Sequence, residues 1–124
     1  MYTLDTNAII YYLKGEEAAV NVLQPILDED APIYVSTITE LELFSYAGLT
    51  AEDEARIDTA LSMVRIVALT SGIARIAGDL RRLYPRLATP DSAIAATAIF
   101  TNSTLITRNV RDFEPIGGLS VLPV

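Results

Sequence analysis

The stretch Tyr2-Thr3-Leu4-Asp5-Thr6-Asn7, followed at once by the apolar run Ala8 to Leu13, decides the fold class of this chain. It reads as a short buried strand that delivers a carboxylate at its C-terminal end and then turns directly into a helix. In open parallel α/β sheets the ligand crevice lies outside the carboxyl ends of the strands, which makes Asp5 a candidate site residue. The competing role for Asp5 or Asn7 is to cap the next helix. Later segments favour the site, because they place further acids where the same crevice should be.

Downstream, Ala8 to Leu13 and Ala18 to Leu27 read as helical pieces separated by Lys14-Gly15, and Pro25 is expected to weaken the second one or end it early. Asp28-Glu29-Asp30 is a solvated turn, and Ile33-Tyr34-Val35 is a second strand. Thr37 with Glu40 has the spacing of a capping box, which predicts a helix starting there and ending near Gly48. At about 100° per residue, Ile38, Leu41, Ser45 and Leu49 share one arc of that helix. Glu42 falls beside them and Glu40 points away, so Glu42 is the inward carboxylate, in need of a metal or a cationic partner.

Thr50 with Asp53 forms a second capping-box pattern, opening a helix to about Met63, and Val64 to Leu69 reads as a third strand. From Ser71, the residues Ile73, Ile76, Ala77, Leu80 and Tyr84 repeat at helical spacing, and Arg75, Arg81, Arg82 and Arg86 occupy other positions. Such an Arg face is either solvated surface or a phosphate-binding flank. Thr89 as N-cap and Pro90 at the first helical position introduce an almost wholly apolar helix to Phe100, with Asp91 in its first turn. A helix this apolar is buried on most sides, so its first turn opens onto a crevice or interior. Leu105-Ile106-Thr107 is a fourth strand leading into Arg108-Asn109-Val110-Arg111-Asp112, and a last strand spans Leu119 to Leu122.

Alternating strands and helices of this kind predict an α/β fold with a central, mainly parallel sheet of four to five short strands. A chain of 124 residues is expected to form one domain, here 1–124. There is no cysteine and no histidine, which excludes a disulfide framework, thiolate zinc sites and imidazole chemistry. No apolar run reaches the roughly 18 to 20 residues of a membrane span and no signal peptide is legible, so a cytoplasmic location is expected. The net charge of −7 argues against a simple basic nucleic-acid surface. That charge is unevenly spread: residues 1–64 hold 12 acids and 2 basic side chains, whereas residues 65–124 hold 4 acids and 7 arginines.

Four acids are therefore expected at one crevice: Asp5, Glu42, Asp91 and Asp112. Carboxylates gathered without His or Cys are the donor set for a hard divalent cation, Mg²⁺ or Mn²⁺. The L-D-T-N at Leu4 to Asn7, the I-T-x-x-E-L at Ile38 to Leu43, the D-x-x-I-A-A-T-A at Asp91 to Ala98 and the L-I-T-R-N-V-R-D-F at Leu105 to Phe113 together resemble a PIN-domain nuclease. More narrowly, they resemble the VapC-like toxins of prokaryotic toxin-antitoxin pairs. The resemblance covers the whole chain and implies a three-layer α/β/α domain whose acidic quartet, matched by Asp5, Glu42, Asp91 and Asp112, holds Mg²⁺ or Mn²⁺. Thr6, Asn7, Thr107 and Asn109 match the polar residues that orient the quartet or its water. The resemblance further implies an RNA substrate cut to leave 5′-phosphate and 3′-hydroxyl ends, a homodimer, and a cognate antitoxin that inserts a segment into the acidic groove. Arg108 joins Arg75, Arg82 and Arg86 as a candidate contact to RNA. Three alternatives stay open: a housekeeping RNA-processing nuclease, an RNA-binding module with weak or no cleavage, and a receiver-like signalling module. The last lacks its cation, because Lys14 is the only lysine.

Overall fold

The computed structural model describes residues 1–124. Five strands, β1 (Tyr2–Leu4), β2 (Ile33–Ser36), β3 (Arg65–Val67), β4 (Thr104–Thr107) and β5 (Val121–Pro123), form a sheet in the order β3-β2-β1-β4-β5, with every neighbouring pair parallel. Helices α1 (Thr6–Leu13) and α2 (Glu17–Asp28) connect β1 to β2, and α3 (Thr37–Leu43) and α4 (Ala51–Leu61) connect β2 to β3. Helices α5 (Ser71–Leu83) and α6 (Thr89–Phe100) lead to β4, and the single turn α7 (Val110–Phe113) leads to β5.

Successive strand residues point to opposite faces, and this alternation makes three layers from the sheet. Leu4, Ile33, Val35 and Ile106 pack under α1, α2 and α4 with Ile9, Leu23, Ile26, Ile57 and Leu61. Leu105 points the other way and packs under α5 and α6 with Ile73, Leu80, Ile94 and Phe113. Every residue of α6 from Ser92 to Ala98 is buried. Four of those seven positions are alanine, which brings the helix backbone close to the strands it crosses. The buried Thr97 hydroxyl is satisfied within the helix, donating to the Ala93 carbonyl at 2.8 Å.

The strand order places the site. The chain leaves β1 towards β2 and later returns to β4 on the opposite side of β1. The connections after β1 and β4 therefore diverge, and a crevice opens at their carboxyl ends.

Several local expectations are corrected by tertiary contacts. The first turn of α3 is capped by Ser36, whose Oγ accepts from the Ile38 amide at 3.1 Å, and no Thr37–Glu40 box forms. The Thr37 hydroxyl instead accepts from the Leu69 amide at 3.1 Å. Helix α3 ends at Leu43 with Phe44 as its C-cap, well before Gly48. Its buried residues are Thr39 and Leu43, and Leu41, expected inside, is 62% exposed. The N-cap of α6 is Ala88, which moves Thr89 and Pro90 inside the first turn. Helix α2 runs through Pro25 to Asp28, because Pro25 falls in its last turn and the carbonyl it leaves unpartnered belongs to the exposed Asn21. Strands β3 and β5 are shorter than expected, since only Arg65–Val67 and Val121–Pro123 find pairing partners. The Thr50–Asp53 capping box forms with both bonds at 3.1 Å, and Gly15 takes the left-handed conformation (φ +72°) just past α1.

Because α6 meets the sheet through small side chains, enlarging one should be felt directly. Ala95→Leu, at a position with no exposed surface, is expected to cost about 1–3 kcal/mol through overpacking. Ala18→Leu, on the exposed side of α2, should change stability by less than about 0.5 kcal/mol. Urea unfolding of both variants checks this; equal loss, or none at Ala95, would show that α6 is not close-packed on the sheet.

Candidate active site

Asp5 performs both roles that its place in the chain suggests. It is the N-cap of α1, with Oδ1 accepting from the Ala8 amide at 2.8 Å, and Oδ2 accepts a hydrogen bond from the Thr107 hydroxyl at the end of β4. The carboxylate is 5% exposed and ties the two central strands together at their carboxyl edge. Burial pushes its pKa above the ordinary value and the Glu42 charge adds to this, against the lowering effect of the bonds from Thr107 and Ala8.

Glu42 reaches the same crevice from α3. Thr6, the first residue of α1, donates to Glu42 Oε1 at 2.6 Å, and its hydroxyl lies 3.2 Å from that of Thr39. Asp91 enters from the first turn of α6, partly exposed and with no hydrogen-bond partner for its carboxylate. Its pKa is raised from the ordinary 3.8 to about 6, first by burial and then by the charges of Asp112, Asp5 and Glu42 in that order. Asp5, Thr6, Asn7, Glu42 and Asp91 line one crevice of about 270 Å³.

Asp112, on α7, is exposed and lines the adjoining concavity, close enough for its charge to act on Asp91. A chain of polar contacts links it to Asp5. The Asn109 amide side chain donates to Asp112 Oδ2 at 2.7 Å, the Asn109 backbone amide donates to the Thr107 hydroxyl at 3.0 Å, and that hydroxyl donates to Asp5. Ser45 and Tyr46 also line the crevice. Ser45 shares the arc expected for Glu42, whereas Tyr46 was not expected there, although it lies four residues beyond Glu42, the spacing that brings side chains onto one side of a helical turn.

The arginines do not form one flank. Arg82 pairs with Asp79 on the surface of α5, and Arg75 is exposed and lines no pocket described here. Arg108 donates to both oxygens of Glu16 and to the Val124 carbonyl, and its guanidinium stacks on the Tyr11 ring, 4.0 Å from the centroid. Only Arg86 of the expected four opens onto a concavity beside the acids.

The donor set of the crevice is oxygen alone, and two of its carboxyl groups are held above their ordinary pKa partly by their neighbours' charge. Both features fit a hard divalent cation. No three of the acids are drawn into a tight ligand cluster.

A parallel α/β sheet with a histidine-free acidic crevice at its switch point defines an α/β domain whose candidate site is built from carboxylates. Comparison with known proteins narrows this class. The PIN domain family model matches residues 2–119. Ribonuclease VapC19 of Mycobacterium tuberculosis is 34% identical over 117 residues, covering 91% of this chain and 92% of that protein. A toxin-antitoxin complex from Klebsiella pneumoniae contains a chain that superposes with a TM-score of 0.82 at 33% identity, over 98% of this chain and 96% of the other. VapBC2 from Rickettsia felis, bound to a DNA fragment from its promoter, gives a TM-score of 0.86 at 26% identity, over 99% and 98% of the two chains. The chain belongs to the PIN-domain family, among its VapC ribonucleases.

The electrostatics of the metal-free crevice give a signed prediction. With Asp91 raised to about 6, the folded state holds its proton over a range in which the unfolded state has lost it. This contribution to stability is complete below the unfolded value near 3.8 and is lost as pH rises through about 6. Asp91→Asn should therefore raise the metal-free melting temperature at pH 7 and have little effect at pH 4. Melting curves at the two pH values check this, and a lowered melting temperature at pH 7 would reduce Asp91 to a residue that merely complements the helix dipole.

Proposed function

We propose that this protein is a Mg²⁺- or Mn²⁺-dependent endoribonuclease, the toxin of a toxin-antitoxin pair, which hydrolyses RNA to leave 5′-phosphate and 3′-hydroxyl ends. The observation that carries this is the convergence of Asp5, Glu42 and Asp91 from three separate elements on one crevice, with Asp112 beside it. All four are assigned to the metal site. A divalent cation bound there would polarise a phosphate oxygen and lower the pKa of a water poised to attack phosphorus.

The chain's own residues hold that arrangement. Thr107 and the Ala8 amide fix Asp5, Thr6 fixes Glu42, and Asn109 fixes Asp112, so three of the four acids are oriented before anything binds. Asp91 carries no such bond, and its raised pKa reflects repulsion that a cation would relieve. Asn7 lines the crevice with its side chain free, placed to orient water or substrate. With neither histidine nor cysteine in the chain, no imidazole or thiolate is present to take over the role of nucleophile or base.

The partner readings attach to two surfaces. An apolar groove of about 330 Å³, lined by Ile10, Leu13, Leu43, Leu49 and Ile57, shares Tyr46 with the acidic crevice. We assign this groove to the antitoxin segment, which can then reach the acids. The exposed Leu41 of α3 and its C-cap residue Phe44 are assigned to contact between two copies of the chain. No helix is long and apolar enough to cross a membrane, and the protein is assigned to the cytoplasm as one domain over 1–124.

Purified protein is expected to cleave single-stranded RNA with Mg²⁺ or Mn²⁺ and to stop in excess EDTA, leaving ends that a 5′-phosphate-dependent exonuclease degrades. Cleavage that survives EDTA, or 2′,3′-cyclic phosphate products, would overturn the mechanism. The adjacent glutamates separate site from scaffold. Glu42→Gln should reduce cleavage by about a hundredfold or more, on the scale of losing a charge-stabilising group. Glu40→Gln, whose side chain has no partner, should stay within about twofold. Equal losses, or a loss only at Glu40, in turnover assays would overturn the assignment of Glu42 as the acid that α3 gives to the site.

A further inference from the structure

Beside the acidic crevice lies a second pocket, of about 480 Å³, walled by the connection between α5 and α6 on one side and by α7 on the other. Leu83, Tyr84, Pro85 and Arg86 form the first wall, and Arg111 and Asp112 belong to the second. The walls are tied together by the Gly117 amide, which donates to the Tyr84 hydroxyl at 3.1 Å, and the first wall is held within itself by Arg81 Nε donating to the Leu87 carbonyl at 3.0 Å. Phe113, 1% exposed, anchors α7 in the core, so the two residues before it are presented from a fixed turn. The pocket is thus preformed.

Its cations stand out against the rest of the chain. Of the eight arginines, Arg82 and Arg108 are paired with acids, and Arg56 and Arg81 donate to carbonyls. Arg65, Arg75, Arg86 and Arg111 form no side-chain hydrogen bond or salt bridge, and of these Arg86 and Arg111 line this pocket together with Asp112. In a protein of net charge −7, two unclaimed guanidinium groups beside four carboxylates form a local binding point for an anion that must cross those carboxylates. Planar guanidinium groups match phosphate in geometry as well as charge. The exposed Leu83 and Pro85 add an apolar ledge at the same mouth, against which a base or ribose can rest.

We propose that Arg86 and Arg111 form a subsite for the phosphate flanking the scissile bond, so that single-stranded RNA runs from the acidic crevice past Asp112 into this pocket. The proposal rests on the ribonuclease reading and extends it to the position of the neighbouring nucleotide. These two arginines are positioning residues, acting on substrate affinity and register while the acids act on the bond.

The test is fluorescence anisotropy of a labelled single-stranded oligoribonucleotide in EDTA, across a salt series, paired with cleavage kinetics in Mg²⁺. Arg86→Ala and Arg111→Ala should each weaken binding about tenfold and flatten the slope of log affinity against log salt by about 0.7, the increment for one phosphate contact on a single strand. Their KM should rise with kcat within twofold, and Arg111→Lys should restore the salt slope. Arg65→Ala removes the same charge from the opposite, amino-terminal edge of the sheet and serves as the control. If the pocket variants bind and cleave like Arg65→Ala while the unaltered protein cleaves normally, the subsite is wrong and the ribonuclease function stands. If the unaltered protein neither binds nor cleaves RNA, the ribonuclease reading fails and the subsite fails with it. All the side chains altered are exposed, so melting curves matching the unaltered protein will show that the variants are folded.

Discussion

The constraint on which this structure depends is the burial of the Asp5 carboxylate between the ends of β1 and β4. Removing such a group from water is costly unless hydrogen bonds replace the lost hydration. Here one oxygen is served by the Ala8 amide and the other by the Thr107 hydroxyl. The first bond starts α1 at the point where β1 stops, and the second joins strands about a hundred residues apart in the chain. Because burial still dominates and the pKa stays raised, the pair of bonds offsets only part of the cost. That residual cost is what a cation or a proton would relieve, so the same interaction that organises the sheet edge keeps the site ready for a ligand.

Helix α6 meets the constraint from the other layer. Its alanines let it lie close to the sheet, and this closeness carries Asp91 at its first turn into the field of the other acids. Larger side chains would lift the helix and widen the crevice. Packing and electrostatics are therefore one problem here: a tight core on one face sets the spacing of charges at the edge. The arginine pocket belongs to the same edge, and the bond from Gly117 to Tyr84 holds its walls independently of the acids.

Much of the site was legible in the chain because strand ends and helix starts are local features. Asp5 after a short apolar strand, and Asp91 at the head of an apolar helix, are positioned by elements a few residues long. Glu42 was legible from helical rotation, even though the same rotation misplaced Leu41, which is exposed because α3 spans only Thr37–Leu43 and little of the core covers it. Ser45 was placed on the arc of Glu42 by the same rotation, but Tyr46 was not singled out, since a tyrosine beside a helix end has no pattern that separates a crevice wall from surface. The pairing of Arg108 with Glu16 spans 92 residues, and nothing near either one announces it.

The sequence by itself determined the alternation of strand and helix, the buried character of α6, the exclusion of imidazole and thiolate chemistry, and the acids that meet at the sheet edge. These follow from composition and from periods of two and about 3.6 residues, which are properties of short segments. Tertiary structure alone decided which group each side chain serves. Thr37 has the spacing of a helix cap, yet its hydroxyl is taken by the Leu69 amide from another connection, and Ser36 caps the helix instead. Eight arginines look alike in the sequence, and only the fold separates the four claimed by a carboxylate or carbonyl from the four left free, two of which stand beside Asp112. The physical reason is the same in each case: a polar side chain settles on the partner that burial brings nearest, and that partner is often remote in the chain.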